Sequence, residues 1–395
     1  MSMKKYVHRK IEGILQKAVR EFPVVALTGP RQTGKSTLLK KLFKEYTYIT
    51  MDDPMDRELA KRDPKLFIDN LSVNTVIDEI QYCPELMPYI KVKVDNDRDK
   101  NGLYIITGSQ VFNLIEGLTE TLAGRVAIFE LLGFSLEELK IEYNKLNLED
   151  TFDLIFTGFY PDTCVHNVDL TIFYGSYMQT YLERDIRQIR SVHDLTLFQK
   201  FIELLSARIG NLLNISEICK ECGVSHTTIQ NWLALLESTR ILYLLKPFYR
   251  NITKRVIKRP KVYITDTGLV SYILRYQNHK TLQAGPMSGN IFESMMIIDI
   301  LKNKLNYNRR FGVYYFRDSN HNEIDLVLDY GNEQKLFEFK ISAIVRDPEI
   351  KKYKNLMKNF QNSKLYFVNF CEKKMQISED VFIVPWHQIG EIINE

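Results

Sequence analysis

A short apolar run, Val24-Val25-Ala26-Leu27, passes into Gly29-Pro30-Arg31-Gln32-Thr33-Gly34-Lys35-Ser36-Thr37 and then into the helical pattern of residues 36–46. Strand, glycine-rich turn and helix in that order, with the turn matching GxxxxGK[ST], constrain this part of the chain to a phosphate-binding loop in an α/β sheet. The glycines let the backbone curl so that successive N–H groups face phosphate oxygens, and the helix N-terminus adds its dipole. All nine loop residues are candidate nucleotide contacts. Lys35 is placed to reach the β- and γ-phosphates of ATP, and Ser36 to offer its hydroxyl to Mg2+.

The other half of such a site follows at Val76-Ile77-Asp78-Glu79, an apolar strand ending in two acids. Asp78 is expected to hold the magnesium with Ser36, through a coordinated water. Glu79 is expected to polarise the attacking water of in-line phosphoryl transfer. The competing reading, an acidic pair that happens to end a strand, is weakened by the loop already in place. The run Leu103–Ile106 ends in Thr107-Gly108-Ser109, so Thr107 and Ser109 are candidate sensors of the γ-phosphate or the lytic water. Strand-end threonines are common, so this third element weighs less.

At 395 residues the chain is too long for one ordinary core, and its 45% hydrophobic and 26% charged content is that of a globular protein. A net charge of +4 neither demands nor excludes a polyanionic partner, so any basic patch must be local. The first twenty residues carry frequent charges and no apolar signal core. No apolar run reaches the roughly 18–20 residues that span a bilayer. The expectation is a cytoplasmic protein without a membrane partner. Five cysteines, an odd number, point to reduced thiols. Cys219 and Cys222 have metal-ligand spacing but no second pair nearby, and read as two thiols on a short helix.

Four regions separate by pattern. Residues 1–130 alternate short apolar runs with helices, as in a parallel sheet buried on both faces. Residues 131–200 read as helical, broken at Gly158-Phe159-Tyr160-Pro161. Residues 201–265 hold a helix-turn-helix and a basic stretch. Residues 266–395 return to an α/β pattern, with a helix over 290–305 and strands near 313–317, 323–330, 335–342 and 364–370.

In the third region Gly223-Val224-Ser225 supplies the turn between a helix near 214–222 and one over 226–238, whose Ile229, Trp232, Leu233 and Leu236 share a face. Its other face offers His226, Thr227, Gln230 and Asn231 to double-stranded DNA. Arg250, Lys254, Arg255, Lys258, Arg259 and Lys261 follow, six cations in twelve residues, as a wing gripping phosphates would need. The same elements also suit a structural lid, a protein contact or an inter-domain groove.

In the fourth region Glu323-Ile324-Asp325 opens an apolar strand and Glu338-Phe339-Lys340 lies on the next, with a hairpin near Tyr330-Gly331-Asn332 between them. Glu338 and Lys340 are two apart and share a strand face. Asp325 opposes them, and Glu293 on the preceding helix completes the group. Two or three carboxylates around Mg2+ with a lysine positioning water suits phosphodiester cleavage. Alternating charge on a strand also marks an ordinary solvated face. His321 reads as a loop histidine.

The pieces GPRQTGKST (29–37), VIDEIQ (76–81), ITGS (106–109), LAGR (122–125), FSLEEL (134–139), YLERDI (181–186), KVYITDTGL (261–269) and GNIFES (289–294), with EIDLVL and FEFK, resemble the bacterial and archaeal AAA+ ATPases that carry a C-terminal DUF4143 domain. The resemblance extends over nearly the whole chain. One departure is Phe159, where the family more often has a second glycine before its aromatic-Pro pair. The resemblance implies an α/β fold: a P-loop AAA+ domain with a parallel sheet, a helical and winged-helix middle region, and a C-terminal domain similar to PD-(D/E)xK nucleases. It also implies an arginine for the charge developing on the γ-phosphate, with Arg125 first and Arg184 second, each weighed against a surface arginine paired with an acid. ATP and Mg2+ are the expected ligands. A homo-oligomer and a monomer both stay open. Above ATP hydrolysis three functions compete: a DNA-directed ATPase with an inert C-terminal domain, an ATP-gated metal-dependent nuclease, and an ATP-dependent protein-interaction switch without nucleic acid.

Overall fold

The computed structural model describes residues 6–109, 121–139, 141, 143–166, 168–182, 194–249 and 259–394. The chain divides into two compact units. The first comprises 1–134 with the short pieces 238–240 and 305–308, and the second comprises 135–237, 241–304 and 309–395. The three regions expected after residue 130 therefore fall almost wholly within one unit.

The first unit is built on a parallel sheet of β1 (Val24–Thr28), β2 (Thr47–Thr50), β3 (Thr75–Asp78), β4 (Tyr104–Gly108) and β5 (Val126–Glu130), in the order β2-β3-β4-β1-β5. The three central strands are wholly buried, and successive residues feed opposite cores. Val25, Leu27, Val76 and Ile105 join Leu15 and Leu39 on one face. Val24, Ala26, Ile77, Tyr104 and Ile106 join Ala60, Ile68 and Ile90 on the other. Helices Glu12–Glu21 and Lys35–Leu42 thus cover one side, and Pro54–Arg62, Pro64–Asn70 and Met87–Asn96 the other. Because β4 lies between β1 and β3, the residues after all three strands meet at one edge of the sheet.

The second unit carries a six-stranded mixed sheet from β8 (Gly312–Arg317), β9 (Glu323–Asp329), β10 (Gln334–Phe339), β11 (Ser363–Asn369), β12 (Met375–Ser378) and β13 (Val381–Pro385), ordered β12-β13-β11-β10-β9-β8. β9 and β10 form the expected antiparallel hairpin, with Gln334 opposite Asp329. Gly331 takes φ 93 at its turn, a left-handed conformation that glycine adopts without strain. The helix Ser288–Asn306 precedes this sheet. The helix-turn-helix is present as Ile215–Cys222 and His226–Ser238, with Gly223 left-handed at φ 72 between them. A two-stranded antiparallel sheet follows, β6 (Leu242–Leu245) with β7 (Lys261–Ile264).

The break at Gly158-Phe159 is a built turn. The Asp266 carboxylate accepts from Phe159 N at 2.7 Å, Leu269 N at 2.9 Å and Tyr174 OH at 2.8 Å, joining this turn to the TDTGL segment. A Cβ on Gly158 would lie 2.1 Å from the Tyr174 hydroxyl, so glycine is required there. Phe159 packs its ring under the Lys302 ammonium at 4.2 Å, which gives a side chain at this second position a use.

Candidate functional site

The loop after β1 has the shape its sequence predicts. Gly29 (φ 139) leaves the strand where a Cβ would stand 2.1 Å from Leu131 O. Gln32 (φ 60) and Gly34 (φ 87) are also left-handed, and Gly34 caps the helix Lys35–Leu42. The first N–H groups of that helix have no intrahelical partner and are available to phosphate oxygens. Lys35 is 5% exposed, and its ammonium donates to Gly29 O and Pro30 O at 2.8 Å each. Burial lowers its pKa to about 8, against the pull of Glu79 and Asp78. A buried ammonium resting on two carbonyls of its own loop is suited to exchange them for an anion.

The acid pair ends β3 beside this loop. Ser36 Oγ donates to Asp78 Oδ2 at 2.8 Å. Tyr48 OH donates to the same oxygen, and Thr107 Oγ1 to Asp78 Oδ1. Glu79 sits past the strand at φ 55, its N–H donating to Thr107 Oγ1 at 3.4 Å. Its carboxylate accepts from Gln81 Nε2 and, at 3.2 Å, from Ser109 Oγ. Thr107 and Ser109 are both fully buried and face the two acids. Tyr48 and Gln81 were not legible as site residues. Tyr48 stands on an edge strand without a motif, although Gln81 follows the acids directly.

These residues fit Mg2+ with a nucleotide. One hydroxyl and one carboxylate sit 2.8 Å apart beside a basic, glycine-turned loop, oxygen donors of the kind that would hold magnesium together with phosphate and water.

A second constellation lies in the C-terminal sheet. Asp325 Oδ2 accepts from Phe339 N at 3.0 Å, which brings β9 against the end of β10. Glu338 Oε1 accepts from Lys340 Nζ at 2.7 Å and from Tyr353 OH. Glu338 is 3% exposed, and burial, with Asp325 adding to it, raises its pKa to about 8. Its Oε2 has no hydrogen-bond partner. Glu293, on the helix Ser288–Asn306, is raised to about 7 by burial and Asp325. The structure thus gathers Glu293, Asp325, Glu338 and Lys340, as their spacing predicts.

It also adds what the sequence did not announce. Lys261 does not belong to a solvated basic wing. It is 2% exposed, and its ammonium lies 3.0 Å from Glu293 Oε1, 2.6 Å from Glu323 Oε1 and 3.8 Å from Asp325 Oδ1. Tyr263 OH donates to Glu293 Oε1 at 2.5 Å. With an ammonium already among the carboxylates, these residues do not fit a divalent metal. Among the described residues no group of three or more His, Cys, Asp or Glu is arranged to hold one.

The sequence profile described as an AAA domain matches residues 21–140, and a domain of unknown function (DUF4143) matches 288–389. A second domain of unknown function (DUF8612) matches 148–280. Uncharacterized proteins of Mycobacterium tuberculosis and Mycobacterium bovis are each 30% identical over 379 residues, covering 95% of this chain and 82% of the relative. This chain belongs to the AAA-domain family with a C-terminal DUF4143 domain. Among solved structures, a Walker-type ATPase of Pyrococcus abyssi is 16% identical, with 67% of this chain and 94% of that chain covered at a TM-score of 0.46. A STAND signal-transduction ATPase with a tetratricopeptide-repeat sensor from Pyrococcus horikoshii is 14% identical, covering 78% and 50% at a TM-score of 0.20.

In this AAA-domain protein the arginine expectations fare differently. Arg125 is held by Asp95, Nε to Oδ1 at 2.6 Å and Nη2 to Oδ2 at 3.2 Å. It precedes β5, and its carbonyl accepts from Val24 N at the start of β1. The phosphate loop leaves the other end of β1, five residues and roughly 16 Å away. Arg125 is therefore not a γ-phosphate arginine of its own loop, and the reading as an arginine paired with a nearby acid describes it. Arg184 lies outside the described residues, as do Arg250, Lys254, Arg255 and Lys258. Among the described residues, Arg9 touches the loop: it is 5% exposed, and its Nη1 donates to Thr33 O at 2.9 Å. Its Nη2 donates to Leu132 O at 2.8 Å and Gly133 O at 3.2 Å.

Of the helix-turn-helix residues, Ile229, Trp232, Leu233 and Leu236 are buried, whereas His226, Thr227, Gln230 and Asn231 are exposed. Arg259 is exposed. Cys222 is buried and Cys219 half-buried, both as free thiols. His321 is an exposed turn residue. No described helix is long and apolar enough to cross a membrane.

Proposed function

We propose that this protein is a Mg2+-dependent ATPase whose nucleotide cycle is coupled to double-stranded DNA through the helix-turn-helix. The observation that supports hydrolysis most directly is the network around Asp78 and Glu79, in which Ser36, Thr107, Gln81 and Ser109 converge on the two carboxylates beside Lys35. Magnesium, when bound, would supply positive charge against the charge that develops on the triphosphate. The chain's own residues divide the remaining work. Loop N–H groups and Lys35 bind and orient the triphosphate. Ser36 and Asp78 hold the metal side of the site. Thr107 fixes the Asp78 carboxylate, while Gln81 and Ser109 fix that of Glu79, which accepts a proton from the attacking water.

Coupling to DNA is supported by the exposed polar face of the helix His226–Ser238, opposite its buried apolar face. The test is phosphate release with and without duplex DNA across a salt series. Stimulation that weakens with rising salt, and that Gln230→Ala with Asn231→Ala reduces, supports the reading. Turnover indifferent to DNA at low salt removes the DNA partner and leaves the protein-interaction switch.

A further inference from the structure

We propose that the ammonium of Lys261 is the resident cation of the C-terminal acid cluster, filling from within the chain the position a divalent metal would take, so that this domain works as a metal-independent ion cluster. The inference stands apart from the ATPase reading and rests only on residues of the second unit.

The geometry is that of a filled site. An ammonium has three N–H donors. Here three carboxylates surround it, Glu323 at 2.6 Å, Glu293 at 3.0 Å and Asp325 at 3.8 Å, brought from the helix Ser288–Asn306 and from β9. Most of the carboxylate oxygens in the cluster are already engaged. Glu293 Oε1 accepts from both Lys261 and Tyr263. Asp325 turns Oδ1 to Lys261 and Oδ2 to Phe339 N. Glu323 Oε2 faces Arg317 at 3.5 Å. Glu338 Oε1 is taken by Lys340 and Tyr353. Glu293 Oε2 and the unpartnered Glu338 Oε2 are left, and they stand on different elements, the helix Ser288–Asn306 and β10.

The backbone of this lysine is held on both sides. Its backbone pairs with Leu245 on β6 and forms a bridge with Leu212 on its other side. Pro260 O accepts from Leu213 N at 2.8 Å just before it. A divalent cation seated among these acids would face a like charge, while removal of the lysine alone would leave three half-buried carboxylates without their cation.

Mn2+ uptake by the full-length, nucleotide-free protein, counted by electron paramagnetic resonance, tests this in the wild type, Asp325→Asn, Lys261→Met and Lys261→Met with Asp325→Asn. The expected result is the same uptake in wild type and Asp325→Asn, and one additional site in Lys261→Met, at least tenfold tighter, that Asp325→Asn abolishes. Mn2+ bound by the wild type and lost in Asp325→Asn would overturn the proposal, as would a folded Lys261→Met with no added site. Should Lys261→Met fail to fold, the wild type against Asp325→Asn comparison still decides. Lys261→Gln with Glu323→Gln, which removes the pair together, then serves as the lysine-free variant and is expected to gain Mn2+ uptake.

Discussion

Ser36 Oγ and Asp78 Oδ2 are 2.8 Å apart although 42 residues separate them in the chain. This bond joins the start of the loop helix to the end of β3, at the side of the proposed nucleotide site that would hold Mg2+. Asp78 receives Tyr48 and Thr107 as well, so its carboxylate is held in orientation from both strands flanking β3. Replacing it with asparagine keeps the size and removes the charge. Asp78→Asn is expected to lower turnover about 100-fold, the scale of losing one preorganised electrostatic group. A Mg2+ titration of phosphate release checks this, and unchanged half-saturation in the variant would contradict it.

Lys35 makes nucleotide binding pH-dependent. Burial lowers its pKa from 10.5 to about 8 in the folded chain. Between those values the unfolded chain holds the extra proton. This group's contribution to stability is therefore full above 10.5 and is lost as pH falls through 8. ATP needs the charged form, so its affinity is expected to hold below pH 8 and to fall by up to about tenfold per pH unit above it. Fluorescent-nucleotide titrations from pH 7 to 10 measure this. A flat profile would show that Lys35 stays charged throughout.

Arg9 supports the loop from outside the motif. Its guanidinium spans Thr33 O in the loop and two carbonyls at residues 132 and 133. Arg9→Ala removes a buried charged donor from three acceptors and is expected to cost about 2–4 kcal/mol of stability. Nucleotide affinity should fall with it. Chemical denaturation and nucleotide titration read the two effects, and loss of neither would remove Arg9 from the account.

In the first unit the sequence announced the strands whose burial is uniform. β1, β3 and β4 are apolar throughout because both faces are covered, and the residues after them carry recognisable chemistry. β2 and β5 were not legible, since Thr47–Thr50 and Val126–Glu130 are half-exposed edge strands with mixed side chains. β12 was missed for the same reason. Asp325, Glu338 and Lys340 were readable from strand spacing and the hairpin, and Glu293 as an acid on the helix before them. Lys261 was not. In one dimension it continues a basic run, and only the pairing of β7 with β6 carries it into an acidic interior. Arg9 likewise had no local signal, because its partners lie 24 and 123 residues away.

Glu338 gives the second unit its own pH signature. Its carboxyl is raised from 4.5 to about 8 by burial and by Asp325. Between those values the folded chain keeps a proton that the unfolded chain releases, so stability falls as pH rises across this window. Glu338→Gln, neutral at every pH, is expected to match the wild type near pH 5 and to exceed it by about 1–3 kcal/mol at pH 8.5. Denaturant midpoints at the two pH values decide it. A constant difference between the proteins would mean that Glu338 is ionised throughout.

The most direct test of the ATPase account is Glu79→Gln, assayed for nucleotide binding and phosphate release beside the wild type and Lys35→Ala. The account predicts that Glu79→Gln binds ATP with Mg2+ as the wild type does while turnover drops about 100-fold or more, and that Lys35→Ala loses binding. Undiminished phosphate release by Glu79→Gln would contradict it.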